Sequence, residues 1–290
     1  MKFVLKEMLF MKKVDLHIHT TKSDGVYSVG QVMEGVKRNK IGIVSFTDHD
    51  FLHSVDDIQP YLPEETIYIN GVEFSSRFNG KEVHILCYGY KEDGEEIHTL
   101  VKQVHIRKMT NAIKFCRYLD KHDVSIKLTE INQKYGNSRI GSICKEMISV
   151  GYISNENDFL SKYYEEFKHY HFQQDVTVEE IIHVIKKSGG IAVLAHPIRY
   201  SNDIKEVTSI LQYLKNLGLG GIEAYHPLHT PDHQKEYNKL ALRYELFVTG
   251  GSDFHYGAID ERLGTSWNSG MIPYQVIIPL ITHIKSYHSK

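Results

Sequence analysis

The sequence predicts an α/β fold arranged as a closed or partly closed barrel, and three observations carry that prediction. Short apolar runs of strand length alternate with amphipathic helical patterns. At least five of the strand candidates end, at their C-terminal side, in His, Asp or Glu. The alternation stops between about residues 92 and 175, where the pattern is helical. A helical insertion over 92–175, expected to act as a substrate cap, thus divides the barrel into residues 12–91 and 176–290.

The elements follow in order. Lys13–His19 reads as a strand, and Ser28–Asn39 as a helix with Ser28 as N-cap. Ile41–Phe46 and Thr66–Val72 are apolar strands, the second followed by a hairpin through Asn79-Gly80 into Glu82–Tyr90. Beyond the insertion, the helix Val178–Lys187 precedes the strand Ile191–Ala195. Gly221–Tyr225 and Leu246–Thr249 are strands, Ile204–Asn216 and Pro231–Arg243 helices, and Val276–Ile284 a last helix. Near its end the insertion carries Tyr163, Tyr164, Phe167, Tyr170 and Phe172, which suit either core packing or stacking on a substrate base.

Composition narrows the function classes. Of 290 residues, 41% are hydrophobic, and 34 Lys+Arg against 36 Asp+Glu leave a net charge of −2, so disorder is not expected. Three cysteines form no disulfide framework; they point to a reducing, cytoplasmic setting, and Cys87, Cys116 and Cys144 read as buried packing residues. No apolar run is long enough to span a bilayer, so no membrane partner is expected. A pI of 6.8 provides no electrostatic footprint for long nucleic acid. The first ten residues lack the features of a signal peptide, and Met11 is a candidate alternative start to Met1. The outlying number is His: 18 in the chain. Imidazole is the commonest metal ligand and titrates near neutrality.

Position selects among these histidines. His17 and His19 lie two apart on one strand and so share a face. Asp15 shares that face and is expected to orient a ligand from behind. Asp24 follows in a Ser-Asp-Gly turn, and the second strand ends in Thr47-Asp48-His49-Asp50. Glu73 closes an apolar strand, where a lone buried charge is costly and needs a partner. His84 interrupts the apolar return strand of the hairpin, and His196 ends Ile191–Ala195. Asp253 and His255 follow Gly250-Gly251, where glycine allows close backbone approach. In α/β barrels the C-terminal ends of the strands are where loops converge and chemistry is built. Together these residues predict a metal site.

The ordered segments VDLHIHT (14–20), SDG (23–25), TDHD (47–50), GVEFS (71–75), VHIL (83–86), AHP (195–197) and GSDFH (251–255) resemble the polymerase and histidinol phosphatase (PHP) superfamily over residues 12–290. Within it, the chain is most similar to stand-alone bacterial members with a helical insertion, a group of nucleoside 3′,5′-bisphosphate phosphatases and 5′→3′ exoribonucleases. The resemblance implies a distorted (β/α)7 barrel holding two or three divalent ions, Mn, Fe or Zn. By motif, His17, His19, Glu73 and Asp253 would hold one ion. Glu73 would bridge to a second, completed by His84 and His196, and Asp24, His49 and His255 would hold a third. Relatives often carry a Gly-Arg-Pro-His-like stretch in the insertion; the corresponding segment here, Arg139–Lys145, keeps an Arg but not the His.

The chemistry expected is metal-dependent phosphoester hydrolysis through a metal-bridging hydroxide, with His17, His19, Glu73 and Asp253 as its catalytic core. Three carboxylates with three divalent ions leave a local charge of about +3, so a near-neutral chain can still attract phosphate. Arg199, three residues past His196, is the expected phosphate clamp. Arg107 and Arg139 are candidates for a second phosphate, and His226 for a proton donor or phosphate contact. His169 and His171 are further candidates to face the pocket, whereas His53, His229 and His233 have no spacing argument. The expected substrate is a small phosphorylated molecule, a nucleotide or a short RNA or DNA end. A small-metabolite phosphatase, such as one for histidinol phosphate, and a non-catalytic module are the competing classes; the sequence does not determine oligomeric state.

Overall fold

The computed structural model describes residues 13–170 and 176–288. The choice between Met1 and Met11, together with His171 and Phe172, lies outside the described residues. The chain divides into two compact units, one formed by Met1–Val101 with Thr177–Lys290, the other by Lys102–Val176.

The larger unit holds eight strands in two sheets. β1 (Lys13–Ile18), β2 (Ile41–Phe46) and β3 (Ile67–Tyr68) are parallel. β4 (Gly71–Phe78), β5 (Lys81–Tyr88), β6 (Ile191–Leu194), β7 (Gly221–Tyr225) and β8 (Phe247–Gly250) form the second sheet in sequence order. Its first two pairings are antiparallel and its last two parallel. Single bridges join the sheets at both seams, Ile18 to Phe254 and His49 to Glu73. The result is a distorted α/β barrel whose ladders are interrupted twice.

The expected strand Thr66–Val72 is corrected by the structure: it is two strands in two sheets. Ile67 and Tyr68 pair with Ile43 and Val44, and after Asn70 the chain enters the antiparallel hairpin. Gly71 makes the crossing possible, because a Cβ there would lie 2.3 Å from Ser45 Oγ. The Asn79-Gly80 turn has both residues at positive φ, as a tight hairpin requires.

Helix starts follow local chemistry. Ser28 with Gln31, Thr177 with Glu180, and Thr230 with His233 form capping boxes ahead of Val29–Arg38, Val178–Lys187 and Pro231–Arg243. β1 is buried on both faces: Val14, Leu16 and Ile18 alternate with Asp15 and His17. Val14 and Leu16 belong to a core with Ile43, Leu86, Val193, Ile277 and Leu280.

The smaller unit has its own core of Phe115, Leu119, Ile143, Met147, Phe159 and Phe167. Tyr163 and Tyr164 pack against it half-buried, so packing is the observed role of three of the expected aromatic group. No strand occurs among its described residues.

Candidate metal centre

Asp24, His49, His84, His196 and His255 converge with the buried residues His17, His19, Glu73 and Asp253 in the larger unit. Most of these side chains come from the end of a strand or the loop after it; Glu73, the third residue of β4, and His84, in the middle of β5, project from within the hairpin. The ends are conformationally demanding: Asp50, His196 and Asp253 have positive φ, a region that non-glycine residues rarely adopt.

Glu73 lies at the centre. Its Oε2 is 3.3 Å from His17 Nε2, 3.2 Å from His19 Nε2 and 3.2 Å from His49 Nδ1. Its Oε1 is 3.0 Å from His84 Nδ1 and 2.9 Å from His196 Nε2. Asp253 Oδ1 lies 3.3 Å from both His17 Nε2 and His19 Nε2, which are themselves 3.1 Å apart. Five of the six separations among these four donor atoms are 3.1–3.3 Å, so His17, His19, Glu73 and Asp253 would be able to share one ion. Glu73 Oε2 is buried with no hydrogen bond, and two of the facing nitrogens compete for one small space. That donor set fits a borderline divalent ion. A second group pairs Glu73 with His49 and His84, and a third joins His19, Asp24, His49 and His255. In the third, Asp24 lies 3.4 Å from His255 Nε2 and 3.8 Å from His49 Nε2. The motif-based triads thus recur as neighbours, except that His49 also reaches Glu73 and His19 also reaches Asp24.

Charge is arranged accordingly. Burial disfavours charge on Glu73, but His17, His49 and His84 hold its carboxyl well below the usual range. Asp253 is held down against burial by His17, His19 and His226. Burial works against a charged His19, yet Asp253 and Glu73 raise it to about 9. His84 rises to about 10 against burial, through Glu73 and Glu82. Burial instead pulls His49 down to about 3.

A supporting layer orients these groups, and part of it has no expectation from sequence. Glu223, fully buried on β7, accepts from His17 Nδ1–H at 2.9 Å and from the His196 backbone N–H at 2.7 Å. The available signal was a carboxylate inside the otherwise apolar Gly-Ile-Glu-Ala-Tyr strand. Asp15 lies behind the ligands, where it accepts backbone N–H groups of His17, Ser252 and Gly264 and the Ser252 hydroxyl at 2.6 Å, fastening the loop that carries Asp253. Asp48 accepts from Thr20, Ser23 and the buried His53, fixing the turn before Asp24. His53 had no spacing argument and is now placed.

The remaining candidates separate. Arg199 donates to Asp253 Oδ2 at 3.0 Å and stays half-exposed. His226 Nδ1 accepts the Leu228 N–H, so its proton sits on Nε2 and faces Asp253 Oδ2 at 3.2 Å. His229 is buried and donates from Nδ1 to the Ala224 carbonyl. Arg107, Arg139 and the exposed His169 belong to the smaller unit. A cavity of about 320 Å³ opens beside the cluster, lined by Glu82, His84, His196, Arg199 and Tyr200. A larger one of about 390 Å³, between Tyr68, Tyr90 and Ile284, contains none of the cluster. All three cysteines are buried and free. No helix among the described residues is long and apolar enough to cross a membrane.

The chain is similar to known proteins. The chain is 25% identical to a 5′-3′ exoribonuclease of Haemophilus influenzae over 253 residues, covering 84% of this chain and 90% of that one. It is 28% identical to a phosphoribosyl 1,2-cyclic phosphate 1,2-diphosphodiesterase of Eggerthella lenta, covering 83% and 93%. It is 24% identical to a 3′,5′-nucleoside bisphosphate phosphatase of Chromobacterium violaceum, covering 84% and 88%. Among solved structures, one from Bifidobacterium adolescentis assigned as a metal-dependent phosphoesterase superposes with a TM-score of 0.74 at 20% identity, covering 94% of this chain and 96% of that one. No protein-family model matches the sequence. Fold, cluster and relatives together define a hydrolase of phosphoric esters. The relatives and the ordered motifs support a member of the polymerase and histidinol phosphatase superfamily.

Proposed function

We propose that this chain hydrolyses phosphate esters of nucleotides or of short oligonucleotide ends, using two or three divalent ions, Mn, Fe or Zn. The observation that carries the proposal is the carboxylate of Glu73, with both oxygens faced by imidazoles drawn from both sheets. Ions held there would lower the pKa of a water and offset charge on the phosphoryl oxygens. His17, His19 and Asp253 would share one ion with Glu73; His84 and His196 would complete a second, and Asp24, His49 and His255 a third. Arg199, steadied through Asp253, lines the adjoining cavity and would bind a phosphoryl oxygen. His226 would hold Asp253 in register and keep a proton on Nε2. Arg107 and Arg139 remain proposed contacts for a second phosphate. Relatives named for RNA and nucleoside bisphosphate substrates favour the nucleotide class over histidinol phosphate.

The test is a hydrolysis panel. Metal-stripped protein reloaded separately with Mn, Fe(II) or Zn is given adenosine 3′,5′-bisphosphate, mononucleotides, 5′-phosphorylated short RNA and histidinol phosphate. Hydrolysis of the bisphosphate or the RNA is expected. Activity on histidinol phosphate alone would overturn the nucleotide reading.

A further inference from the structure

We infer that Glu82 is a positioning residue that fixes which nitrogen of His84 faces the metal cluster. Resting on the reading of His84 as a ligand, this extends the ligand set to a residue outside it. Glu82 and His84 are two apart on β5 and share a face of the strand. Glu82 Oε1 lies 2.9 Å from His84 Nε2, while His84 Nδ1 lies 3.0 Å from Glu73 Oε1. An ionised carboxylate can only accept, so the Glu82 contact keeps a proton on Nε2, and the nitrogen that gives up its proton to an ion is Nδ1, on the Glu73 side. Glu223 does the same for His17 with the nitrogens exchanged: Nδ1 carries the proton, and Nε2 faces Glu73 and Asp253.

The two carboxylates differ in what else they support. Glu223 is fully buried and also holds the His196 backbone. Glu82 is 66% exposed and its bond to His84 is the contact at issue, so its removal leaves the core intact. Without it, the His84 ring is free to change tautomer or turn, and the nitrogen facing Glu73 is no longer fixed. Losses of this kind typically weaken metal binding about 10- to 100-fold.

The experiment titrates the metal-stripped full chain with cobalt(II), followed by visible absorption and bound-metal stoichiometry. Glu82→Leu is expected to weaken one class of site about 10- to 100-fold and to change its absorption band, with the remaining sites unaltered. Glu82→Gln keeps an acceptor oxygen and is expected to restore most of the affinity. A Glu82→Leu titration that superimposes on the wild type would overturn the inference, as would a Glu82→Gln variant no better than Glu82→Leu. Wild-type protein that takes up no cobalt would instead overturn the ligand reading itself. None of these readouts needs a substrate, so failure of the nucleotide proposal is seen separately.

Discussion

Glu223 ties His17 to His196: one oxygen takes the His17 Nδ1–H at 2.9 Å and the other the His196 backbone N–H at 2.7 Å. A single carboxylate on β7 therefore sets both a side chain from β1 and the backbone beyond β6. Replacing it with Gln keeps the shape but puts an amide NH₂ against one of these donors. Glu223→Gln should lower metal affinity at least about tenfold with the fold retained. Metal titration alongside circular dichroism checks this; unchanged affinity would remove Glu223 from the orienting set.

His17→Ala or Asp253→Ala should abolish phosphate release and reduce bound metal. Each removes a donor from the four-residue group that also contains His19 and Glu73. Metal content per chain and turnover are measured on the same preparation, and full activity in either variant would refute the assignment.

Metal uptake should release protons at neutral pH. In the metal-free fold His19 is raised to about 9 and His84 to about 10, above the ordinary 6.5, so both rings carry charge at pH 7. A raised histidine stabilises the metal-free fold fully below 6.5 and loses that contribution as pH climbs through 9 to 10. Apparent metal affinity should therefore rise with pH, while the denaturation midpoint of the stripped protein falls between pH 7 and 10. Calorimetry in buffers of different ionisation enthalpy counts the protons; a count of zero contradicts the scheme.

Asp48→Ala should destabilise the protein by about 3–5 kcal/mol, the cost of leaving one partner of a buried pair alone. Four groups donate to this carboxylate, among them His53 at 2.6 Å. Burial raises the Asp48 pKa, but the bond from His53 holds it at about 2, below the ordinary 3.8. Its contribution is present above 3.8 and is lost as pH falls towards 2. Urea unfolding at pH 7 and pH 3 should show the gap between wild type and variant narrowing in acid.

Gly251→Ala should lower stability by about 1–3 kcal/mol through overpacking and loosen metal binding together. A Cβ there would lie 2.2 Å from His17 Cβ and 2.4 Å from the His17 backbone nitrogen. The loop would have to retreat from β1, taking Asp253 with it. Thermal melts and metal content measure both effects, and wild-type values for both would argue against this close approach.

Much of this was legible in the chain because the local codes are strong. The capping residues Ser28, Thr177 and Thr230 set helix starts, and the apolar runs located the strands to within a residue or two, apart from Thr66–Val72. That segment reads as one strand because a run of apolar residues does not record a change of partner sheet. Position at strand ends selected most of the cluster residues, and the interruption of an apolar run selected His84. The supporting layer was harder to read: Glu223 acts through His17, 206 positions away, and His53 through Asp48 in a loop where no periodicity fixes the pairing. Asp15 was assigned to the right layer, but alternation gives the face and not the neighbours it meets, Ser252 and Gly264.

The two interrupted seams make ion binding a mechanical matter as well as a chemical one. His17, His19, Asp24 and His49 belong to the three-stranded side, and Glu73, His84, His196, Asp253 and His255 to the five-stranded side. Among the described residues each seam is closed by one isolated β-bridge, so ions shared across them would act as rivets between two halves. Ligand saturation then becomes folding energy: at a hundred times its dissociation constant, a bound ion adds about 2.7 kcal/mol. Chelation should loosen the seams first, and protease or hydrogen exchange would find Ile18, His49, Glu73 and Phe254 before it reaches the middle of either sheet.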